Sequence, residues 1–167
     1  MSIKWSEHLS IGNAMIDSDH KNLIVVVNRL EDAIKAGDRV ALSKSFELLD
    51  AYMRIHTQNE EKIAEAINYP FAQDKLALHQ LMDEMKYMIK KLADTYGDWP
   101  DNILEMYSRF LAGWMTDHIT KTNMQMKPAL QAYPYEFIPG KAADSYSFQS
   151  TMILPIISYI DSKPPAY

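Results

Sequence analysis

The chain contains no cysteine, which excludes disulfide bonds and thiolate metal sites but leaves the redox compartment open. Any metal ion would have to be held by histidine, aspartate or glutamate. Only five glycines occur in 167 residues, against eleven methionines, and this scarcity of turn-forming residues favours helices over a β-sandwich. The sequence therefore predicts a helical protein without covalent cross-links.

Long apolar runs and a surplus of positive charge are also missing. No run approaches the roughly 18 residues of a membrane-spanning helix, and the first ten residues lack the apolar centre of a signal peptide. We therefore expect a cytoplasmic protein with no membrane partner. The net charge of −5, with basic residues scattered along the chain, gives no support for nucleic-acid binding. The length suggests one domain, which could bury about 70% of its unfolded surface.

Residues 42–67 carry the clearest pattern in the chain. The apolar side chains of this stretch repeat at intervals of three or four apart from one wider gap, at Leu42, Phe46, Leu49, Met53, Ile63 and Ile67. Such spacing is typical of one face of a helix packed in a bundle. His56 and Glu60 fill the wider gap in the same rhythm. Two interpretations stay open: a buried metal site inside the bundle, or a stripe that drifts and leaves both residues at a solvated edge.

Similar stripes and helix-ending residues divide the rest of the chain. Gly37, Pro70 and Gly97 each suit the end of a helix, and the short links make neighbouring helices antiparallel. The predicted fold is all-α, an up-down-up-down antiparallel four-helix bundle with an N-terminal arm and a C-terminal extension. The helices are expected near residues 18–36, 41–67, 73–96 and 101–125, the first starting at Asp17 or Ser18.

Four of the five histidines are distributed one to a helix. His20 lies early in the first helix and His56 late in the second, while His79 lies early in the third and His118 late in the fourth. In an antiparallel bundle these positions are all at the same end. Imidazole and carboxylate together suit iron, zinc or manganese. The alternative is four separate core histidines, each hydrogen-bonded locally.

A series of residues recurs in the order and at the distances of a known family. These residues are Trp5, Gly12, Ile16-Asp17 with His20 and Leu23, Asn28, His56 with Glu60-Glu61, Tyr69-Pro70, and Trp114 with His118-Ile119. The chain resembles the bacterial hemerythrins, oxygen-binding four-helix bundles with a non-heme di-iron centre. The resemblance covers about residues 1–127, expected to form the bundle with its arm, and leaves 128–167 outside the pattern.

The resemblance implies a set of metal ligands. One iron would take His20 and His56, and the other would take His79, His118 and a third histidine four residues before His79. Glu60 would bridge the two irons together with a second carboxylate, five residues after His118. The implied cofactor is non-heme iron, and the implied partner is dioxygen or another small diatomic molecule.

Two of the implied ligand positions are altered. Lys75 stands in place of the third histidine, and its ammonium, kept charged by a nearby Glu60, has no lone pair for a metal. Asn123 stands in place of the second bridging carboxylate, and an amide is a weak neutral ligand. On a regular helix a five-residue step from His118 points about 140° away. That Asn123 faces the site therefore follows from the resemblance and not from spacing.

The remaining ligands of the first iron form a recognisable set. His20, His56 and Glu60 are two histidines and one carboxylate, the ligand type of mononuclear Fe(II) sites with open positions. Met115 stands where the family has an apolar residue of the oxygen pocket, and Trp114 precedes it. Both are expected to line the ligand pocket.

Three functions are compatible with these residues. The favoured one is a hemerythrin-like protein, not an enzyme, that binds or senses oxygen or a related diatomic through an altered centre of one or two irons. The second is a metal-free interaction module in which an ion pair between Lys75 and Glu60 replaces the metal. The third is a small enzyme that uses a mononuclear iron.

The extension at residues 128–167 differs in character from the rest of the chain, because proline and aromatic residues are dense there. Its apolar stretch at 151–160 is interrupted by Pro155 and is too short to span a membrane. We expect Ile153 to Ile160 to be buried, either against the bundle or against a second copy or another protein partner.

Overall fold

The computed structural model describes residues 2–70, 82–88, 90–91, 94 and 100–140. All regular elements of this part of the chain are helical, and it contains no strand. The helices are α1 (Ala14–Ala36), α2 (Arg39–Ala66), α3 (residues 82–88), α4 (Asp101–Asp117) and the short α5 (Lys127–Leu130). A single 3-10 turn, Glu7–Leu9, lies in the N-terminal arm. The predicted all-α class is confirmed.

The start of α1 corrects the sequence prediction, because the helix begins at Ala14 and not at Asp17 or Ser18. Asn13 is the N-cap, and its side-chain oxygen accepts hydrogen bonds from the backbone N–H groups of Met15 and Ile16. Asp17 lies inside the helix and does not cap it. Its carboxylate is buried and accepts hydrogen bonds from the arm, from the Ser10 hydroxyl at 2.5 Å and from the Ile11 N–H at 2.9 Å.

The end of α1 and the start of α2 follow the expected chemistry. Gly37 ends α1 with φ +64°, a left-handed conformation that glycine adopts without strain, and its N–H bonds back to Ala33 and Ile34. Asp38 then caps α2 by accepting a hydrogen bond from the Ala41 N–H at 2.9 Å. The link is so short that α1 and α2 pack as antiparallel neighbours.

The inward face of α2 decides between the two interpretations of its stripe. Every apolar residue of the predicted stripe is buried in the structure. His56 and Glu60, which continue the stripe, are 0% and 1% exposed. The solvated-edge interpretation is therefore wrong, and a carboxylate and an imidazole lie together in the interior.

Two apolar clusters form the core. The larger one joins α1, α2 and α4, and Met85 of α3 belongs to it. Trp5 of the arm packs against this cluster, with the Lys21 ammonium 4.9 Å from its ring centroid. The second cluster lies where the arm and the end of α2 meet the segment after α4, and its buried members are Ile11, Ile16, Ile63, Ala64, Ile67, Met126 and Leu130.

The first part of the extension packs on this second cluster. Tyr133 and Phe137 contact it, with their ring centroids 4.6 Å apart. Two hydrogen bonds attach the segment to the start of α1, from the Asn13 amide to the Phe137 carbonyl at 2.9 Å and from the Ala14 N–H to the Tyr135 carbonyl at 2.8 Å. Residues 141–167 lie outside the described part of the chain, so the burial of Ile153 to Ile160 stays a prediction.

Within the described ranges, no helix has an apolar stretch long enough to cross a lipid bilayer.

Candidate metal centre

Three elements of the bundle each bring ligand-type side chains to one point in the interior. His20 comes from α1, His56 and Glu60 come from successive turns of α2, and His118 directly follows α4. One ligand atom from each of the four residues lies within 4.8 Å of the others. None of the four side chains has appreciable contact with solvent, since the most exposed residue, His118, is 7% exposed.

Three of the ligand atoms form a compact triangle. The His56 Nε2 atom lies 2.9 Å from the His118 Nε2 atom and 3.1 Å from the Glu60 Oε1 atom. The His118 Nε2 and Glu60 Oε1 atoms are 3.8 Å apart. Four tetrahedral donors at about 2.0–2.1 Å from one ion are about 3.3 Å from each other. The triangle therefore fits a single ion after shifts of a few tenths of an ångström.

Asn123 also lies at the site, and a local change of helix type places it there. After α4 the backbone forms a π-helical turn, His118–Thr122, followed by a 3-10 turn, Asn123–Met126. The Asn123 N–H donates to the carbonyl oxygen of His118, five residues earlier. The wider turn returns the chain to the same side after five residues, so the sequence-based direction of about 140° does not apply. The helix predicted near 101–125 is thus α-helical only as far as Asp117, and its last two turns are of other helix types.

The Asn123 side chain is 1% exposed and connects two of the ligand residues. Its Nδ2 group donates a short hydrogen bond to Glu60 Oε1. Its Oδ1 atom lies 2.9 Å from the His20 Nε2 atom. Thus one continuous polar chain runs inside the bundle, in the order His20, Asn123, Glu60, His56 and His118.

The electrostatics divide the three histidines into two kinds. Burial lowers the pKa of His56, but the Glu60 carboxylate and, more weakly, Asp19 outweigh it and raise the pKa to about 9. Burial lowers the pKa of His118 to about 4, and it lowers the pKa of His20 well below the usual range, with His56 reinforcing both effects. Burial raises the pKa of Glu60, yet His56 and its other partners lower it overall. One proton on His56 therefore offsets one carboxylate charge.

Two further residues that sequence reasoning missed lie behind His56. The Asp19 Oδ2 atom is 3.6 Å from the His56 Nδ1 atom, too far for a hydrogen bond but close enough to stabilise an imidazolium. The Asn59 amide donates to the same Asp19 oxygen at 2.9 Å and holds it in place. The only hint of this role in the sequence is that Asp19 directly precedes His20. It lies on a face of the first helix that the apolar stripe does not include.

The other predicted site residues divide into those that are described and those that are not. Trp114 stacks on the His118 ring, with centroids 5.8 Å apart and planes 17° from parallel. Met115 is fully buried in the larger apolar cluster. Lys75 and His79 lie outside the described residues, so neither their position nor an ion pair between Lys75 and Glu60 is tested.

Comparison with known proteins agrees with this arrangement. The profile of the family described as "Hemerythrin HHE cation binding domain" matches residues 11–130. The bacteriohemerythrin of Pseudomonas aeruginosa (strain LESB58) is 23% identical over 146 residues, covering 87% of this chain and 93% of that protein. The bacteriohemerythrin of Methylococcus capsulatus is 26% identical over 117 residues, covering 70% of this chain and 86% of that protein.

A solved structure supports the fold. The crystal structure of a hemerythrin point mutant matches with a TM-score of 0.64 and 24% sequence identity, covering 78% of this chain and 98% of that chain. Similarity at this level of identity shows the fold alone, which is the four-helix bundle of hemerythrin. The predicted bundle is therefore confirmed.

Proposed function

The chain belongs to the hemerythrin HHE cation-binding family, and on that premise we propose that it holds one iron ion in the buried cluster and binds or senses dioxygen or a related diatomic there. Members of this family are oxygen carriers or sensors, generally not enzymes. The related proteins from Pseudomonas and Methylococcus are named bacteriohemerythrins. We extend the metal and the diatomic ligand to this chain from the residues at its own site.

The observation that carries the proposal is the convergence of His20, His56, Glu60 and His118 within 4.8 Å in the interior. Three imidazoles and one carboxylate are a ligand set that suits iron, zinc or manganese. Polar groups of this kind are costly to bury unless something compensates them. When bound, a single ferrous ion would supply one electron and an open coordination position to a diatomic ligand.

The surroundings of the cluster suit a small apolar ligand. Met115 is 0% exposed, and Trp114 covers one face of the His118 ring. A buried site with apolar walls excludes bulk water and admits small uncharged molecules more readily than ions or polar metabolites. Trp114 fixes the orientation of the His118 ring, and the buried apolar surroundings keep competing water away from the diatomic.

We propose one ion and not two because of Asn123. A second ion would lose the bridging carboxylate that the family uses at this position, since the Asn123 amide is neutral and already bonded to Glu60 and His20. Lys75, in place of a ligand histidine, would repel a second cation further. The proposed centre is therefore mononuclear.

Metal content tests this proposal. Protein purified without chelator and reloaded anaerobically with Fe(II) is expected to hold about one iron per chain, measured by elemental analysis, and to change its absorption spectrum when nitric oxide or dioxygen is added. The variant His56→Ala should lose the iron. His8→Ala is the matched control, because His8 is exposed in the arm and should leave the content unchanged. Two irons per chain would contradict a mononuclear centre.

One observation favours the metal-free interaction module as a second candidate. The Glu60 carboxylate already has His56 and Asn123 as partners, so its charge is compensated without an ion. In that case the purified protein is colourless and takes up no iron. Replacing Lys75 by alanine would then destabilise the metal-free protein by about 3–5 kcal/mol if a fully buried Lys75–Glu60 pair exists. An unchanged free energy of unfolding would exclude the proposed ion pair.

A further inference from the structure

We infer that Asn123 determines which donors hold the ion: it keeps His20 out of the coordination sphere, so that His56, Glu60 and His118 bind the metal. The inference rests on the proposed function, because it assigns the ligands within that same site. It departs from the arrangement that the resemblance implies, in which His20 and His56 share one iron and His118 belongs to the other.

The orientation of the Asn123 amide is fixed by its two neighbours. Glu60 Oε1 is a carboxylate oxygen and can only accept a hydrogen bond, so the NH₂ group of Asn123 must face it. The carbonyl oxygen of Asn123 then faces the His20 Nε2 atom, 2.9 Å away. Because that oxygen can only accept, His20 must donate, and its hydrogen sits on Nε2.

A donating nitrogen has no lone pair for a metal. In neutral His20 the lone pair is consequently on Nδ1. That atom is buried and has no hydrogen-bond partner in the described part of the chain. For His20 to ligate through Nε2, the ring would have to change tautomer and the bond to Asn123 would have to break. Both steps oppose ligation through Nε2, which is the His20 atom that Asn123 holds beside Glu60, and the Nδ1 lone pair points away from it on the other side of the ring.

Glu60 and His118 carry no such restriction, and His56 has only to lose one proton without breaking a bond to Asn123. Glu60 Oε1 has two lone pairs, so it can accept from Asn123 and still face an ion. His56 Nε2 and His118 Nε2 point at each other across 2.9 Å, which leaves one proton between them that a cation would displace. Two histidines and one carboxylate are the ligand type of mononuclear iron sites, and such a set would leave positions open for a diatomic or water.

Cobalt(II) is a suitable probe, because it reports on ligation through its visible absorption. Metal-free full-length protein would be titrated with Co(II), and variants compared by dissociation constant and band intensity. We expect His118→Ala to lose about 100-fold in affinity, whereas His20→Ala stays within about threefold of the parent. Asn123→Ala frees His20 as an additional ligand and should gain about tenfold. That gain should vanish in the double variant His20→Ala with Asn123→Ala.

A second measurement does not depend on metal. Nitrogen-15 NMR of the metal-free parent protein should show His20 as the tautomer protonated on Nε2, with a hydrogen bond to the Asn123 carbonyl. This readout stays decisive even if one of the variants fails to fold. A His20 protonated on Nδ1 instead would overturn the inference.

The outcomes separate the inference from the proposed function. If the parent binds Co(II) but His20→Ala loses as much affinity as His118→Ala, the assignment of ligands is wrong and the metal site remains. If Asn123→Ala binds more weakly, Asn123 is itself a ligand and the inference fails. A parent protein that binds neither Co(II) nor Fe(II) would refute both proposals together.

Discussion

The backbone N–H of Asn123 donates to the carbonyl oxygen of His118, and this one i to i+5 hydrogen bond puts both side chains on the same wall of the cluster. A π-helical turn of this kind is rare and is frequently found at functional sites. Here it has a chemical consequence. Without it, the Asn123 amide would face away from Glu60 and His20, and within the described ranges the carboxylate would keep His56 and His118 as its partners.

We predict that restoring the family's residues at both altered ligand positions allows the chain to bind a second metal ion. The double change Lys75→His with Asn123→Asp places a histidine and a carboxylate where the family has ligands, and Asn123 already faces Glu60. We expect iron uptake to rise from about one to about two ions per chain. Asn123→Asp alone should not suffice, because Lys75 would remain. Unchanged stoichiometry in the double variant would show that other residues exclude the second ion.

The affinity for metal should rise with pH. The Glu60 and Asp19 carboxylates overcome the effect of burial and hold the pKa of His56 at about 9, so a proton must leave before His56 ligates. Metal binding releases this proton. We therefore expect Co(II) affinity to rise about tenfold per pH unit between pH 7 and 8.5 and to level off above about pH 9. Titrations in buffers of equal ionic strength measure this slope.

The control for the pH profile is Asp19→Asn. Asp19 is 3.6 Å from His56 Nδ1 and raises its pKa without belonging to the cluster of candidate ligands. The neutral asparagine should lower the pKa of His56, so the Co(II) affinity should stop rising at a lower pH. An identical profile in this variant would mean that Asp19 does not act on His56.

The metal-free protein should show the opposite trend in stability. A histidine whose folded pKa is raised above its unfolded value of 6.5 adds stability that is complete below about pH 6.5 and is lost as the pH rises towards 9. His118 does not contribute to this loss of stability. Its pKa is lowered to about 4, so the free energy of unfolding decreases on its account only below about pH 6.5, where the unfolded chain binds a proton that the folded chain does not. The melting temperature of metal-free protein should thus fall between pH 6.5 and 9. His56→Ala should remove that decline.

Much of this site could be predicted from the sequence because the information is local. The stripe of α2 places His56 and Glu60 on the same face as Leu49 and Ile63, and all four are buried. The antiparallel order of the helices then brings His20 to the same end. Short-range periodicity and connection length are sufficient for both results.

The remaining features depend on interactions that the pattern does not contain. The π-helical turn after His118 has no marker in the sequence, and its Asn123 was placed at the site only by resemblance. The start of α1 was misplaced because Asp17 and Ser18 are also good N-cap residue types, whereas the cap in the structure is Asn13. Asp19 acts through a neighbour on another helix, which no spacing along α1 reveals.

Asn13 should have two separable effects on stability. It caps α1 and also donates to the Phe137 carbonyl, so Asn13→Ala loses both and should cost about 2 kcal/mol in the free energy of unfolding. Asn13→Ser retains an N-cap acceptor but loses the bond to Phe137, and should cost about 1 kcal/mol. Urea denaturation of both variants measures the difference. Equal losses would show that the cap contributes nothing here.

The extension should consist of two parts with different roles, and two truncations can distinguish them. A chain that ends at Ala129 loses Leu130, Tyr133 and Phe137, which pack on the second apolar cluster. Leu130 is 2% exposed, and burial of such a side chain is worth about 1.5–3 kcal/mol. This truncation should therefore lower the melting temperature of the bundle whatever residues 141–167 do.

A chain that ends at Gly140 keeps those contacts and removes only the segment that contains Ile153 to Ile160. Because so many apolar side chains would form a large exposed patch if left uncovered, we expect this segment to be buried against the bundle or a second copy. Its removal should uncover the surface on which it packs, and so lower solubility or change the oligomeric state seen by light scattering. If the shortened chain has the oligomeric state, solubility and melting temperature of the full-length protein, the segment is not buried against either surface.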